Sequence, residues 1–131
     1  MRTTIKRLAL LFVPVFVLCW AAVPSGTARE ELRTDTPRNT LETARLFLKQ
    51  GRYSKAVGYY DILLTRFKES TSEAAWGLYE KSYCLYKLKK YGLALRGFKS
   101  IRQVYPDEMG PVILADKMIA KIELENAKDI L

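Results

Sequence analysis

Apolar side chains recur along most of the chain at the three- and four-residue spacing of an amphipathic helix. The first such stretch follows Thr36 and Pro37, a capping residue and a proline that are typical of a helix start. Gly51 predicts the end of that helix. A second stretch, over about 54–67, has a wide apolar face. The pattern therefore predicts a helical hairpin over residues 37–68.

A second hairpin is predicted over residues 70–106. Ser70 and Glu73 have the spacing of a capping box, in which each side chain bonds the other residue's backbone amide. The helix that starts there is expected to run to about Lys89, and a fourth helix is expected over about 91–104.

A fifth helix is predicted from Val112 to about Lys128, behind Gly110 and Pro111. We expect it to cap the stack as a unit of residues 111–129, with one apolar and one polar face. The expected inner residues are Ala115, Met118, Ile119 and Ile122, and the expected outer ones are Asp116, Lys117, Lys121 and Glu125.

The two hairpins repeat each other at a distance of 38 residues. The matching runs are Gly51-Arg52-Tyr53-Ser54-Lys55-Ala56 and Lys89-Lys90-Tyr91-Gly92-Leu93-Ala94, followed by Tyr60 and Phe98. A repeat at 20 to 50 residues is typical of a solenoid, in which each unit buries its apolar face on the next. The predicted fold class is all-α, with about five helices in one domain of residues 37–131.

These residues resemble the tetratricopeptide repeat family, and the second unit matches the family's pattern best. The matching residues there are Ala75, Trp76, Ser82, Tyr86, Tyr91, Ala94, Phe98 and Pro106. Lys68 stands where the first unit would have its proline, and Lys81 replaces a usual leucine. The long Ser/Thr-rich link resembles periplasmic members that serve outer-membrane assembly and the Tol-Pal system. The resemblance implies a short right-handed solenoid that binds protein.

The amino terminus has the organisation of an export signal. Basic residues end at Arg7, and an uncharged run over 8–23 follows. We expect cleavage after Ala28, or after Ser25, and a polar linker over 29–36. The mature protein would then be periplasmic or secreted. The alternative is an uncleaved inner-membrane anchor through residues 8–23.

Charge and composition bear on the kind of partner and on catalysis. The net charge is +8, and residues 45–102 hold 13 basic and four acidic side chains. Such a basic surface is either a solvated helix face or a site for an acidic partner. The chain has no histidine and two cysteines, one of them inside the predicted signal. We therefore expect neither an enzyme nor a metal or other cofactor.

The resemblance places the partner site on a concave groove lined by the first helix of each unit. The candidate partner-binding residues are Trp76, Tyr79, Tyr83, Tyr86 and Lys87 on the second unit and Arg38, Arg45 and Lys49 on the first. The four aromatics form one stripe along a helix, which serves either the groove or the core.

The predicted function is that of a cell-envelope adaptor or scaffold that binds a peptide or helix with apolar and acidic side chains. The alternative is a glycan, peptidoglycan or exopolysaccharide, stacked on the aromatic stripe. Nucleic acid is not expected as a partner, and association of the chain with itself is possible because two hairpins and a cap bury little surface.

Overall fold

The computed structural model describes residues 34–128. Five helices follow one another: α1 Pro37–Lys49, α2 Tyr53–Arg66, α3 Thr71–Lys87, α4 Tyr91–Val104 and α5 Met109–Lys128. The described residues contain no strand, so the predicted all-α class is confirmed. The predicted signal and linker up to residue 33 lie outside the described part of the chain.

The start of α1 follows the prediction. The Thr36 hydroxyl accepts a hydrogen bond from the Asn39 amide at 3.1 Å, and Pro37 occupies the first turn. Thr40, fully buried, donates its hydroxyl to the Thr36 carbonyl at 2.7 Å. The cap satisfies helix-end groups that would otherwise lack partners.

The first helix of each hairpin ends in the same way. After α1, Gly51 adopts a left-handed φ of 70°, and the Arg52 amide donates back to the Phe47 carbonyl at 2.9 Å. After α3, Lys89 takes this place with φ 61°, and α3 therefore ends at Lys87, before the predicted limit. The 38-residue repeat thus extends to the turns, although a lysine adopts left-handed backbone at some cost.

One predicted capping interaction and one predicted helix start were wrong. Ser70 precedes α3, but its side chain makes no capping hydrogen bond, so the capping box with Glu73 does not form. Helix α5 begins at Met109 rather than after Pro111, because proline is tolerated in a first turn, where its missing amide hydrogen is not needed.

The five helices form a curved stack. Each packs on the next, and α3 also touches α1 and α5, whereas α2 and α4 make no comparable contact with each other. The odd-numbered helices therefore lie closer together and line the concave side, and α2 and α4 form the convex side. This arrangement is a short tetratricopeptide-like solenoid.

Two apolar clusters form the core, and α3 contributes to both. The first cluster joins α1, α2 and α3, and the second joins α3, α4 and α5. The buried members of the first are Leu41, Ala44, Phe47, Ala56, Tyr60, Leu63 and Cys84, and those of the second are Ala94, Phe98, Ile101, Val112, Ala115 and Ile122.

Small residues let the helices approach each other at their crossings. A Cβ on Gly77 would lie 2.5 Å from Leu63 Cδ2, and a Cβ on Gly97 would overlap Ser82 Oγ. Ser82 is buried and donates its hydroxyl to the Leu78 carbonyl. Lys81, at a usual leucine position, forms a 2.6 Å ion pair with Asp61 of α2 instead of packing in the core.

The outer face of α5 is only partly polar, because apolar side chains share it with Lys117 and Lys121, which are exposed as predicted. Ile113, Leu124 and Met109 are 47%, 59% and 61% exposed, on the side of the helix opposite the buried Ala115 and Ile122. Helix α5 is apolar on two sides, and only one of them is covered within the described residues.

Candidate binding surface

The predicted aromatic stripe lies on α3, the central helix of the concave side. All four of its aromatics are half-buried, so the stripe belongs neither wholly to the core nor wholly to the surface. The α-helical spacing separates the stripe into two edges, one turned towards α4 and α5 and the other towards the middle of the concave side.

Tyr79 and Tyr86 form the edge that packs against α4 and α5. The Tyr79 ring lies 5.6 Å from that of buried Phe98, and burial raises the pKa of Tyr79. The Tyr86 ring lies 5.6 Å from Tyr91, and its hydroxyl donates to the Glu125 carboxylate at 3.1 to 3.2 Å. These two side chains hold neighbouring helices against α3.

Trp76 and Tyr83 form the edge at the middle of the concave side. Trp76 packs against the first core cluster and meets Tyr79 edge-on at 6.2 Å. Its ring also lies under Gly110, where a Cβ would approach Trp76 Cζ2 to 3.1 Å. Tyr83 packs against the second core cluster, its ring lies 6.4 Å from that of Tyr86, and the residue is half-buried.

The cations on this side come from three helices. The Lys87 ammonium lies 6.0 Å from the centre of the Tyr83 ring, and the Lys121 ammonium of α5 lies 5.2 Å from that of Tyr86. A hydrogen bond with Tyr86 raises the pKa of Lys121. Arg38 and Lys49 are exposed on α1. All four cations reach solvent.

Arg45 is not a free cation of this surface. Its Nε donates to both Glu80 carboxylate oxygens at 2.9 and 3.0 Å, and Nη1 pairs with Glu42 at 3.3 Å. The hydrogen bonds with Glu80 raise the pKa of Arg45. The structure therefore engages Arg45, a predicted partner-binding residue, in ion pairs within the fold.

Glu80 is the residue that sequence reasoning missed. It accepts the Arg45 hydrogen bonds and one from the fully buried Tyr60 hydroxyl at 2.9 Å, and its side chain is 13% exposed. Burial and then the Glu80 charge raise the pKa of Tyr60, and they raise that of the Cys84 thiol to about 12. Spacing alone gave no signal for this network, because its members lie on three helices.

The surface has the chemistry of recognition. The aromatic rings can stack on a partner, the cations can pair with its acidic groups, and the ion-paired carboxylate of Glu80 can accept hydrogen bonds. Within residues 34–128, no group of three or more potential acidic or thiol ligands is placed to hold a metal ion. Cys84 is buried and its thiol stays protonated at neutral pH, so it is not an exposed nucleophile.

No helix of the described part is both long enough and apolar enough to cross a membrane. The uncharged run over 8–23 lies outside that part.

The fold defines an all-α repeat protein with a concave side. Residues 41–70 match the model of the family described as Tetratricopeptide repeat, which supports a tetratricopeptide-repeat protein. The match covers most of α1, all of α2 and the link to α3, although the sequence pattern had favoured the second unit. Tetratricopeptide repeats are non-catalytic modules that generally mediate protein–protein interaction. Comparison with curated proteins and with solved structures gave no match.

Proposed function

We propose that the protein is an exported adaptor of the cell envelope that binds a segment of another envelope protein on its concave side. The observation that carries this proposal is the half-exposed pair Trp76 and Tyr83 on the midline of the concave side, with Lys87 beside Tyr83. Rigid aromatics with a polar tip are the residues that contribute most to binding at interfaces.

The charge of the surface indicates the chemistry of the segment. Lys87 and Lys121 lie over aromatic rings, and Arg38 and Lys49 are exposed on α1, whereas Glu80 is ion-paired with Arg45. A partner with apolar side chains for the rings and acidic side chains for the cations fits this distribution. A peptide or helix laid across α1, α3 and α5 is the expected form.

Paired substitutions on opposite faces of the stack test the proposal. The concave variant carries Tyr83→Ser and Lys87→Glu. The control variant carries Leu93→Ser and Arg96→Glu, at exposed positions that border a shallow depression of about 330 Å³ on the other face of α3. Both variants lose one apolar side chain and change the net charge equally, so a general charge effect would weaken both.

The measurement is affinity capture from an envelope extract by the tagged full chain and its two variants. We expect wild type and the control variant to retain the same protein and the concave variant to lose it, with equal helicity by circular dichroism. Equal retention by all three would place binding elsewhere. Retention of polysaccharide or peptidoglycan without protein, lost in the concave variant, would instead indicate the glycan alternative.

A further inference from the structure

The uncovered face of α5 has the pattern of a two-stranded coiled coil. Ile113, Lys117, Ala120, Leu124 and Ala127 are spaced alternately by four and three residues, and all are exposed. In heptad terms Ile113, Ala120 and Ala127 occupy d positions, and Lys117 and Leu124 occupy a positions. The apolar residues of this face make a second seam, opposite the one that packs on α4.

The charges that flank this seam are segregated by sign. On one side, at the g positions, lie Asp116 and Glu123, seven residues apart. On the other side, at e positions, lie Lys121 and Lys128, again seven apart. Residues at g and e set the partner and the orientation of a coiled coil through interhelical ion pairs.

We propose that α5 pairs in parallel and in register with the α5 of a second copy of this chain. In a parallel pair, a g residue meets the e residue five positions further along the other helix. Asp116 then meets Lys121 of the second copy, and Glu123 meets Lys128 of the second copy. Two-fold symmetry gives each of these ion pairs twice.

An antiparallel pair has the opposite electrostatics. There g residues meet g residues and e residues meet e residues, so that acids would face acids and lysines would face lysines at the charged flanking positions. The sign pattern therefore selects the parallel arrangement. Lys117 meets its own copy in this arrangement, and a single polar residue at an a position fixes register and a two-stranded state at some cost in stability.

The acidic residues remain available although each already has a partner in its own chain. Asp116 bonds Arg102 of α4, and Glu123 lies 3.2 Å from Lys99, yet the two carboxylate side chains are 45% and 55% exposed. A carboxylate accepts several hydrogen bonds at once. Intrachain pairs to α4 and interchain pairs to a second α5 can therefore coexist.

Disulfide trapping distinguishes this arrangement from others. Single cysteines replace Ala120 or Ala127 in the full chain with Cys19→Ser, kept in a mild non-ionic detergent because of the uncharged run over 8–23. Cys84 stays, because it is buried. The matched control is Asn126→Cys, an exposed neighbour of Ala127 at a position that points away from the seam.

We expect mild oxidation to link most of the Ala120→Cys chain and most of the Ala127→Cys chain as dimers, and Asn126→Cys to remain monomeric. Only a parallel, in-register pair brings both seam positions next to their own copies. Linking at one seam position alone, at neither, or at all three positions equally would overturn the proposal.

Charge reversal provides an independent measurement in the Ala120→Cys background. One variant carries Asp116→Lys and Glu123→Lys, and the other carries Lys121→Glu and Lys128→Glu. Each alone places like charges at every flanking contact and should lose the disulfide-linked dimer, whereas an equimolar mixture should recover it as a mixed dimer. Unchanged linking of each variant by itself would refute pairing specified by these charges.

Discussion

Glu80 is the residue at which three helices meet. Glu80 lies on α3 and accepts hydrogen bonds from the guanidinium of Arg45 on α1 and from the buried hydroxyl of Tyr60 on α2. The net attraction of such a partly buried carboxylate adds little to the stability of the fold. Its removal is costly because its buried partners are left without a hydrogen-bond acceptor or a counterion. The network therefore matters for the alignment of α1 and α2 against α3.

Replacing Glu80 with leucine should lower the free energy of unfolding by about 2–4 kcal/mol, because the Tyr60 hydroxyl would be buried without an acceptor and Arg45 without its main counterion. The matched control is Glu42→Gln, which removes the other, exposed carboxylate on Arg45 and should change the free energy of unfolding by less than about 0.5 kcal/mol. Urea unfolding followed by circular dichroism measures both variants. Equal effects would show that Glu80 makes only a surface ion pair.

The network also shows why the candidate surface was predicted in part only. The aromatic stripe could be predicted from the spacing of residues along one helix. It lies on the concave side, where one of its edges packs against α4 and α5 and the other faces the middle of that side. That Arg45 is engaged depends on Glu80, 35 residues further on, and on the angle between their helices. A single sequence carries periodicity within a helix but not the pairing of charges between helices.

At the scale of elements, α2 and α4 are equivalent helices of the repeat, but their interior glycines are not at equivalent positions, because Gly58 aligns with Arg96 and Gly97 aligns with Tyr59. Each has a glycine in its interior, which costs helix stability unless close packing requires it. Gly97 packs against Ser82, whereas nothing lies within 4 Å of a Cβ built on Gly58. Only the glycine of α4 is therefore explained by a helix crossing.

Alanine substitutions at the two glycines should have opposite signs. Gly97→Ala should destabilise the protein by about 1–3 kcal/mol, because the new methyl group overlaps the Ser82 hydroxyl and approaches its Cβ to 3.1 Å. Gly58→Ala should stabilise it by about 0.5–1 kcal/mol through helix propensity. Thermal unfolding of both variants gives the comparison. Stabilisation by Gly97→Ala would mean that α3 and α4 can separate without loss of packing.

The elements themselves were the most predictable part of the molecule. All five helices follow from apolar periodicity, and the caps at Thr36 and Gly51 follow from local chemistry. The start of α5 did not, because a proline in a first turn and a proline behind a helix look alike in sequence. The left-handed backbone of Lys89 could not be predicted from local sequence either, because its only signal is that Lys89 lies at the position of Gly51 in the repeat.

At the scale of the whole molecule, the stack has two surfaces of different chemistry, the concave side and the outer side of α5. The concave side has aromatics on α3 and exposed cations on α1, α3 and α5, and the outer side of α5 has the coiled-coil pattern. Each helix contacts mainly its neighbours, and the two surfaces share Lys121, which lies over the Tyr86 ring on the concave side and at an e position of the α5 seam. A dimer would place two concave surfaces in one assembly and raise their combined avidity.

The location of this assembly depends on the segment before the stack. The basic start, the uncharged run over 8–23 and the small residues up to Ala28 predict export with cleavage. In a Gram-negative host, the intact mass of the protein from the periplasmic fraction should correspond to a chain that begins at Arg29, or at Gly26 if the cut follows Ser25. Leu11→Arg, which breaks the apolar run, should leave the full-length chain in the cytoplasm. A wild-type chain that keeps all its residues and sediments with the inner membrane would instead establish the anchor, and the concave side would then act at a fixed distance from the bilayer.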